Sequence, residues 1–279
     1  MTPSHPTSVT GHPFGTSRRR LKDGRYPKMA KIVVIGGTGH VGSRVVEKLI
    51  AHGHDAVAAS RKTGVDTMTG EGLAKALVGA DVVVDTTQAP SYAPDAVMDF
   101  FTTSTKNQLA AEKEAGVKHH VALTVVGTNR PQDISYFHGK AAQEKLIADS
   151  GVPYTLLHAT QFFEFAPAIV FTSMQGEEIR VADALIQPIA AEDVATAVGR
   201  AAAGEPANGP VEVAGPETFS IEEFIKRTFA AAGDQRSVTT TPDAQYFGAK
   251  IEQTTLLPVE GAQLASTTLD EWLASQAKK

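Results

Sequence analysis

"KIVVIGGTGHVGSRVVEKLIAHG", residues 31–53, decides the fold. Ile32 to Ile35 is an unbroken β-branched run, the pattern of a parallel strand covered on both faces. Gly36, Gly37, Gly39 and Gly42 follow, and Ser43 to Gly53 then shows helical periodicity with Gly53 as its stop. Glycines so placed permit a tight turn, let the backbone approach a diphosphate and bring helix against strand. Free amides at the helix N-terminus then face the phosphates. A glycine fingerprint alone is weak, but this one lies between a buried strand and a periodic helix, with another strand, "DAVAAS" at 55–60, about the right distance on. Gly36, Thr38, Gly39, His40, Val41 and Gly42 are therefore read as the dinucleotide-binding turn.

The end of that second strand speaks to which dinucleotide. An Asp or Glu there normally grips the adenosine ribose 2′-hydroxyl, whereas here stand Ser60, Arg61 and Lys62. A carboxylate would repel a 2′-phosphate; a guanidinium and an ammonium make charge-assisted bonds with it worth roughly 1.5 to 3 kcal/mol. NADP(H) is expected as the cofactor, with NAD(H) binding more weakly by roughly ten- to a few hundred-fold. The competing reading makes Arg61 and Lys62 solvated loop charges.

Strand and helix keep alternating. After "GVDTMTG" at 64–70, where any third strand is brief, "EGLAKALVGA" (71–80) reads as a helix and "DVVVDTT" (81–87) as the fourth strand. Thr86, Thr87 and Gln88 at its end either line the path of the dinucleotide or serve as turn residues before Pro90. A helix over 95–116 leads to "HHVALTVVG" (119–127), the fifth strand, on which His119 and His120 point to opposite faces and so cannot chelate one metal. "HGH" at 52–54 reads as a surface turn. The helix "YFHGKAAQEKLIADSG" (136–151) and a sixth strand, "PYTLLHA" (153–159), follow. This alternation predicts an α/β fold, a doubly wound parallel Rossmann sheet over 29–159 with helices on both faces. Beyond 160 the pattern loosens into a short strand, "VEVAG", and helices near 191–203, 220–232 and 268–276. A smaller mixed substrate lobe over 160–279, with segments packing back on the Rossmann domain, is expected there.

At 279 residues and 42% hydrophobic, the chain can bury one substantial core with a lobe attached, or form two modest domains. A net charge of -5 gives no electrostatic reason to bind nucleic acid or an anionic membrane, so a small molecule is the expected partner. The absence of cysteine excludes disulfides, thiolate nucleophiles, iron–sulfur clusters and cysteine zinc sites. Residues 1–28, rich in Pro, Ser, Thr and Gly, read as a disordered extension, and Met29 is a candidate start of translation. "SRRRLK" has the arginines of an export signal without the apolar stretch that should follow, and no segment approaches the roughly 20 apolar residues of a membrane span. A cytoplasmic location is expected.

"YFHGK" at 136–140 sets Tyr136 four positions before Lys140, on one face of a helix. "YFGAK" at 246–250 repeats the spacing, so context must decide which pair counts. The first pair opens the helix after the fifth strand, with Thr124 offering a hydroxyl twelve residues earlier; the second sits in the loose tail with no such partner. Glycine turn, strand-end hydroxyl and tyrosine–lysine helix together resemble the short-chain dehydrogenase/reductase superfamily. "GGTGHVG", "AGVKHHVALTVVG", "YFHGKAAQEKLIADSGVPYTLLHATQFFEF" and "QPIAAEDVA" look like its atypical NmrA-like, NAD(P)H-binding branch, from about Met29 to the C-terminus.

The resemblance implies that Tyr136 donates a proton to a substrate oxygen, that Lys140 holds the nicotinamide ribose and lowers the tyrosine's pKa, and that Thr124 positions the carbonyl. Thr124 stands where serine is more usual, and His158, at the end of the sixth strand, where related sequences often carry arginine. His158, Gln161 and Phe162 are the candidate substrate contacts. Read without the resemblance, Tyr136 is an exposed residue at a helix start and Lys140 a partner of Glu144. Two functions follow: an NADPH-dependent reductase of a small carbonyl or quinone, or a silent NADP(H)-binding sensor that docks a protein partner through Phe162, Phe163 and Phe165.

Overall fold

A computed structural model describes residues 29–130, 132–176 and 178–277. The extension read at 1–28 lies outside the described residues. The chain runs β1 (Lys31–Ile35), α1 (His40–Ala51), β2 (Asp55–Ala59), α2 (Leu73–Ala76), β3 (Val82–Asp85), α3 (Pro94–Ala115), β4 (His119–Val125), α4 (Ser135–Ala148) and β5 (Tyr154–Ala159). It continues with α5 (Ala166–Ser173), β6 (Met174–Gln175), β7 (Glu178–Val181), β8 (Leu185–Ile186), α6 (Ala191–Ala203) and β9 (Gly209–Ala214). Last come β10 (Phe219–Ser220), α7 (Ile221–Ala232), β11 (Val238–Thr240), β12 (Gln263–Leu264) and α8 (Leu269–Gln276).

Seven strands form one parallel sheet in the order β12-β9-β5-β4-β3-β1-β2. Alternate residues of β1 serve opposite faces. Ile32 and Val34 pack with Val45 and Leu49 of α1 and with Val194 and Val198 of α6, whereas Val33 and Ile35 pack with Leu73, Leu77 and Val117. The unbroken apolar run is thus explained by two covered faces. Side chains of this size, fully removed from water, each contribute about 1.5–3 kcal/mol before entropy is charged against them.

The expected third strand is absent. Gly64, Gly70 and Gly72 all hold positive φ between β2 and α2, and the chain turns there instead of extending, so "DVVVD" is the third strand of the sheet and the later strands each move down one. The helix expected over 71–80 shrinks to Leu73–Ala76, hemmed between Gly72 and Gly79, both at positive φ. "YFGAK" at 246–250 is no helix at all but a tight turn bridged between Tyr246 and Ala249.

The second half of the chain contributes both to this sheet and to the smaller sheets beside it. β9 extends the sheet beside β5, and α6 packs against α1. The remainder forms a lobe around a three-stranded sheet (β11-β7-β6) and the β10–β8 pair, its core built on Phe163, Ile179, Ile186 and Phe224. Arg130 fastens the lobe to the end of β4, one guanidinium nitrogen donating to the carbonyls of Thr254, Thr255 and Leu257 at 2.5–3.0 Å. No helix among the described residues is long and apolar enough to cross a membrane.

Candidate active site

From β2 the chain crosses to the other side of β1 to build β3, so a crevice opens beyond the carboxyl ends of these strands, where open α/β sheets bind ligands. Gly36 (φ +77°) begins the turn that follows β1. A Cβ on Gly42 would lie 2.3 Å from the Gly36 carbonyl oxygen, so only glycine lets α1 come this close to β1. The N-terminus of α1 has no side-chain cap and no acidic residue in its first turn, which keeps its amides and positive dipole end available to an anion. Thr38 donates to the Ser60 hydroxyl at 3.0 Å, tying the glycine turn to the end of β2. Arg61 and Lys62 stand exposed at that lip, with no carboxylate paired to either among the described residues.

A cavity of about 940 Å³ runs from this lip to the lobe. Gly36, Thr38, Gly39, His40, Val41, Ser60, Arg61 and Lys62 line one end of it, Thr86, Thr87 and Gln88 the middle, and Tyr136, Lys140, Gln161 and Phe162 the other end. Thr86 Oγ1 donates to the Ile35 carbonyl at 2.9 Å and fixes the β1–β3 edge. The Thr87 and Thr160 hydroxyls and both amide atoms of Gln161 are buried without a protein partner. Buried polar atoms are nearly always satisfied, so four orphans converging on one cavity, with bare helix amides at its other end, fit a long polar ligand such as a dinucleotide.

At the inner end, Tyr136 is half-buried at the start of α4 and donates to Gln88 Oε1 at 2.8 Å. Burial pushes its phenol above the ordinary tyrosine range, helped by Tyr92 and Asp85 and opposed by the Gln88 hydrogen bond. The direction is opposite to the lowering expected from Lys140. Lys140, four residues further along α4, is itself almost wholly buried. Its ammonium donates to the Leu123 carbonyl and to Gln143 Oε1, both at 2.9 Å, and lies 4.3 Å from the centre of the Phe101 ring. Burial lowers its pKa to about 8 against the raising charges of Asp85 and Glu144. Gln143 passes the connection on to Asp85, whose carboxylate also accepts from Gln108 and the Thr87 amide. Reading of the sequence missed this Asp85–Gln143–Lys140 chain; its one signal was Asp85, a carboxylate ending an otherwise apolar strand.

Thr124 lines the cavity but its hydroxyl is spent elsewhere, and His158 lies outside it. The Thr124 side chain donates to Glu144, which also accepts from Thr128 and lies 3.3 Å from His158 Nε2, so the Thr124 hydroxyl is engaged away from Tyr136. His158 does not border the crevice. It faces the α4 side of the sheet, between Glu144 and Glu212 (Nδ1 to Oε1 3.9 Å), beside a separate recess of about 340 Å³. Burial opposes its charge, but the two carboxylates outweigh burial and raise its pKa to about 9. The helical reading that paired Lys140 with Glu144 fails for the same reason, since Glu144 is occupied by this cluster.

His119 and His120 do diverge: one meets the Thr155 hydroxyl at 2.9 Å, the other the buried Glu112 carboxylate at 2.9 Å. No group of three or more His, Asp or Glu among the described residues is placed to hold a metal ion. Phe163 is wholly buried and Phe162 and Phe165 line the cavity, so the three do not form an exposed docking face.

A family model described as NAD(P)H-binding matches residues 36–204 of the chain. Among curated relatives, the chain is 25% identical over 190 residues to the chloroplastic divinyl chlorophyllide a 8-vinyl-reductase of Cucumis sativus, covering 57% of this chain and 45% of that one. It is 26% identical over 148 residues to the photosystem II assembly factor Ycf39 of Synechocystis, covering 48% and 45%. The chain thus spans less than half the length of either relative. Among solved structures, the NADPH-dependent quinone oxidoreductase QOR2 of Escherichia coli, complexed with NADPH, shares the fold with a TM-score of 0.60 at 22% identity, over 75% of this chain and 77% of that one.

Proposed function

We propose, from the premise that this chain belongs to the NAD(P)H-binding family, that it is an NADPH-dependent oxidoreductase reducing a small carbonyl or quinone. The observation that carries the reading is a single cavity that joins the glycine turn and Arg61 at one end to Tyr136 and Lys140 at the other. NADPH supplies the hydride when bound; the residues bind, orient and protonate. The α1 amides and the glycine turn hold the diphosphate, Arg61 and Lys62 the adenosine 2′-phosphate, and the Lys140 ammonium the inner ribose. Tyr136, kept neutral by its raised pKa, is the proton donor to the substrate oxygen, which takes over the hydrogen bond now made to Gln88. Thr124 acts one step removed, holding Glu144 and the end of β4.

The test is NADPH consumption across quinones, aldehydes and ketones. Tyr136→Phe is expected to lose turnover by at least about tenfold while NADPH binding is retained. Arg61→Ala is expected to weaken NADPH binding roughly tenfold or more and leave NADH unchanged; an unaltered NADPH-to-NADH ratio would remove the assignment of the 2′-phosphate site. A second reading, a nucleotide-binding regulator without turnover, is favoured by a feature of the structure: the Lys140 ammonium is spent on Leu123 and Gln143 rather than on Tyr136. The Ycf39 relative, an assembly factor by name, points the same way. Tight NADPH binding with no turnover on any substrate selects it. The cytoplasm, with its NADPH supply, is the location proposed for either role.

A further inference from the structure

Phe247 stands in a conformation that phenylalanine rarely adopts. Tyr246 and Ala249 exchange backbone hydrogen bonds of 2.8 and 3.1 Å, closing a two-residue turn. Both central residues have positive φ, +49° at Phe247 and +82° at Gly248. This is the arrangement of a type I′ turn, whose first central position is ordinarily asparagine, aspartate or glycine because a larger side chain is strained there. Strain of this kind persists where the surroundings impose it, and at functional sites.

Those surroundings are the cavity. The Phe247 ring is only partly buried and lies 4.8 Å from Tyr246, 6.3 Å from Phe165 and 6.5 Å from Tyr92, centre to centre. Tyr92 in turn lies 6.0 Å from Tyr136. One turn tip therefore joins an aromatic wall built from three distant segments, ending at the proposed proton donor. The charged groups near this wall are few. Arg61 and Lys62 line the opposite end of the cavity, Lys140 is buried, and the exposed Lys250 beyond the turn does not line it; the carboxylates that do are Asp66, Asp99 and Glu164, the last accepting from the Ala191 amide and the Trp272 indole. An anionic substrate finds no exposed lysine or arginine among the residues lining this end and meets carboxylates; a flat, uncharged ring finds several π faces.

We propose that Phe247 is a specificity-determining residue, held in its strained turn as a platform on which the planar aromatic ring of an uncharged carbonyl substrate stacks beside Tyr136. The inference rests on the reductase reading above and names its substrate class. Removing the platform costs an aromatic substrate its ring–ring contact, roughly tenfold in affinity, and costs an aliphatic one little beyond burial.

The experiment measures affinities for acetonaphthone and for undecanone by titration into the protein saturated with NADP⁺, for the native chain, Phe247→Asn and Phe247→Leu. Asparagine suits the turn, so it removes the ring without straining the backbone, and leucine keeps the apolar bulk without the flat face. Circular dichroism and the NADP⁺ affinity report that each variant is folded with its nucleotide end intact. The expected result is a preference of the native chain for acetonaphthone that falls roughly tenfold in both variants. An unaltered preference in a folded variant, an equal weakening of both ketones, or no affinity of the native chain for acetonaphthone would overturn the proposal. The NADP⁺ titration, run first, separates the two readings: no NADP⁺ binding overturns the dinucleotide site and this inference with it, whereas NADP⁺ binding with an unaltered ketone preference overturns this inference alone.

Discussion

Lys140 keeps an ammonium where water scarcely reaches, with the Leu123 carbonyl, the Gln143 amide oxygen and the Phe101 ring as its company. Its folded pKa of about 8 lies below the ordinary lysine value of 10.5. Between those values the unfolded chain holds a proton that the folded one has released, so this residue makes the fold more stable as pH rises through that window. Relative to Lys140→Met, the native chain is expected to gain on the order of 1 kcal/mol per pH unit from pH 8 upward, read from urea unfolding at successive pH values. A difference that is flat across that range would contradict a desolvated ammonium. Tyr136 is shifted the other way, upward, and so remains a phenol at any pH at which the protein works. The pair was legible from its spacing and its place after β4. The sense of the tyrosine's shift was not, because spacing carries no information on burial or on which carbonyl captures the lysine.

At the level of elements, the cluster of His158, Glu144 and Glu212 binds β5 to α4 on one side and β9 on the other. The folded pKa of His158, about 9, lies above its ordinary value of 6.5. The stabilisation is therefore fully present below pH 6.5 and is lost as pH rises through 9. His158→Gln removes the imidazolium from between two carboxylates and is expected to destabilise the protein by about 3 kcal/mol at pH 6, with the deficit shrinking toward pH 10. Thermal unfolding of both proteins across that range checks it; a deficit independent of pH would show that His158 packs as a neutral ring. The same residue marks a limit of sequence reading. Its position at a strand end suggested the crevice, but Glu144 and Glu212 claim its ring below the cavity lining, and both glutamates are distant in sequence. The missing third strand has a local cause, the run of positive-φ glycines at 64, 70 and 72, whose conformations only the fold reveals. By contrast, the helices near 191–203, 220–232 and 268–276 were legible from periodicity alone and appear as α6, α7 and α8.

On the scale of the molecule, a parallel sheet supplies a fixed floor and the lobe supplies the roof of one cavity. The floor was readable from "KIVVIGGTGHVG", because a covered strand, a glycine turn and a bare helix start are local properties. The roof was not, because Tyr92, Phe165 and Phe247 meet only through tertiary packing. The proposed function unites the two halves through a dinucleotide laid from Arg61 to Tyr136, and Gly39 offers the sharpest probe of that proposal. Gly39 caps α1 with φ -85° and ψ -178°, a backbone that an aspartate adopts readily, and a Cβ there would meet only the Gly36 oxygen, at 3.1 Å. Aspartate is a preferred helix cap, yet its carboxylate would occupy the amides that the diphosphate needs. Calorimetric titration of NADPH into the native chain and into Gly39→Asp is the most direct measurement. Saturable binding to the native chain is expected, weakened roughly a hundredfold or more in the variant while its melting temperature holds. No saturable heat with the native chain, or equal affinity in the folded variant, would contradict a nucleotide at the glycine turn.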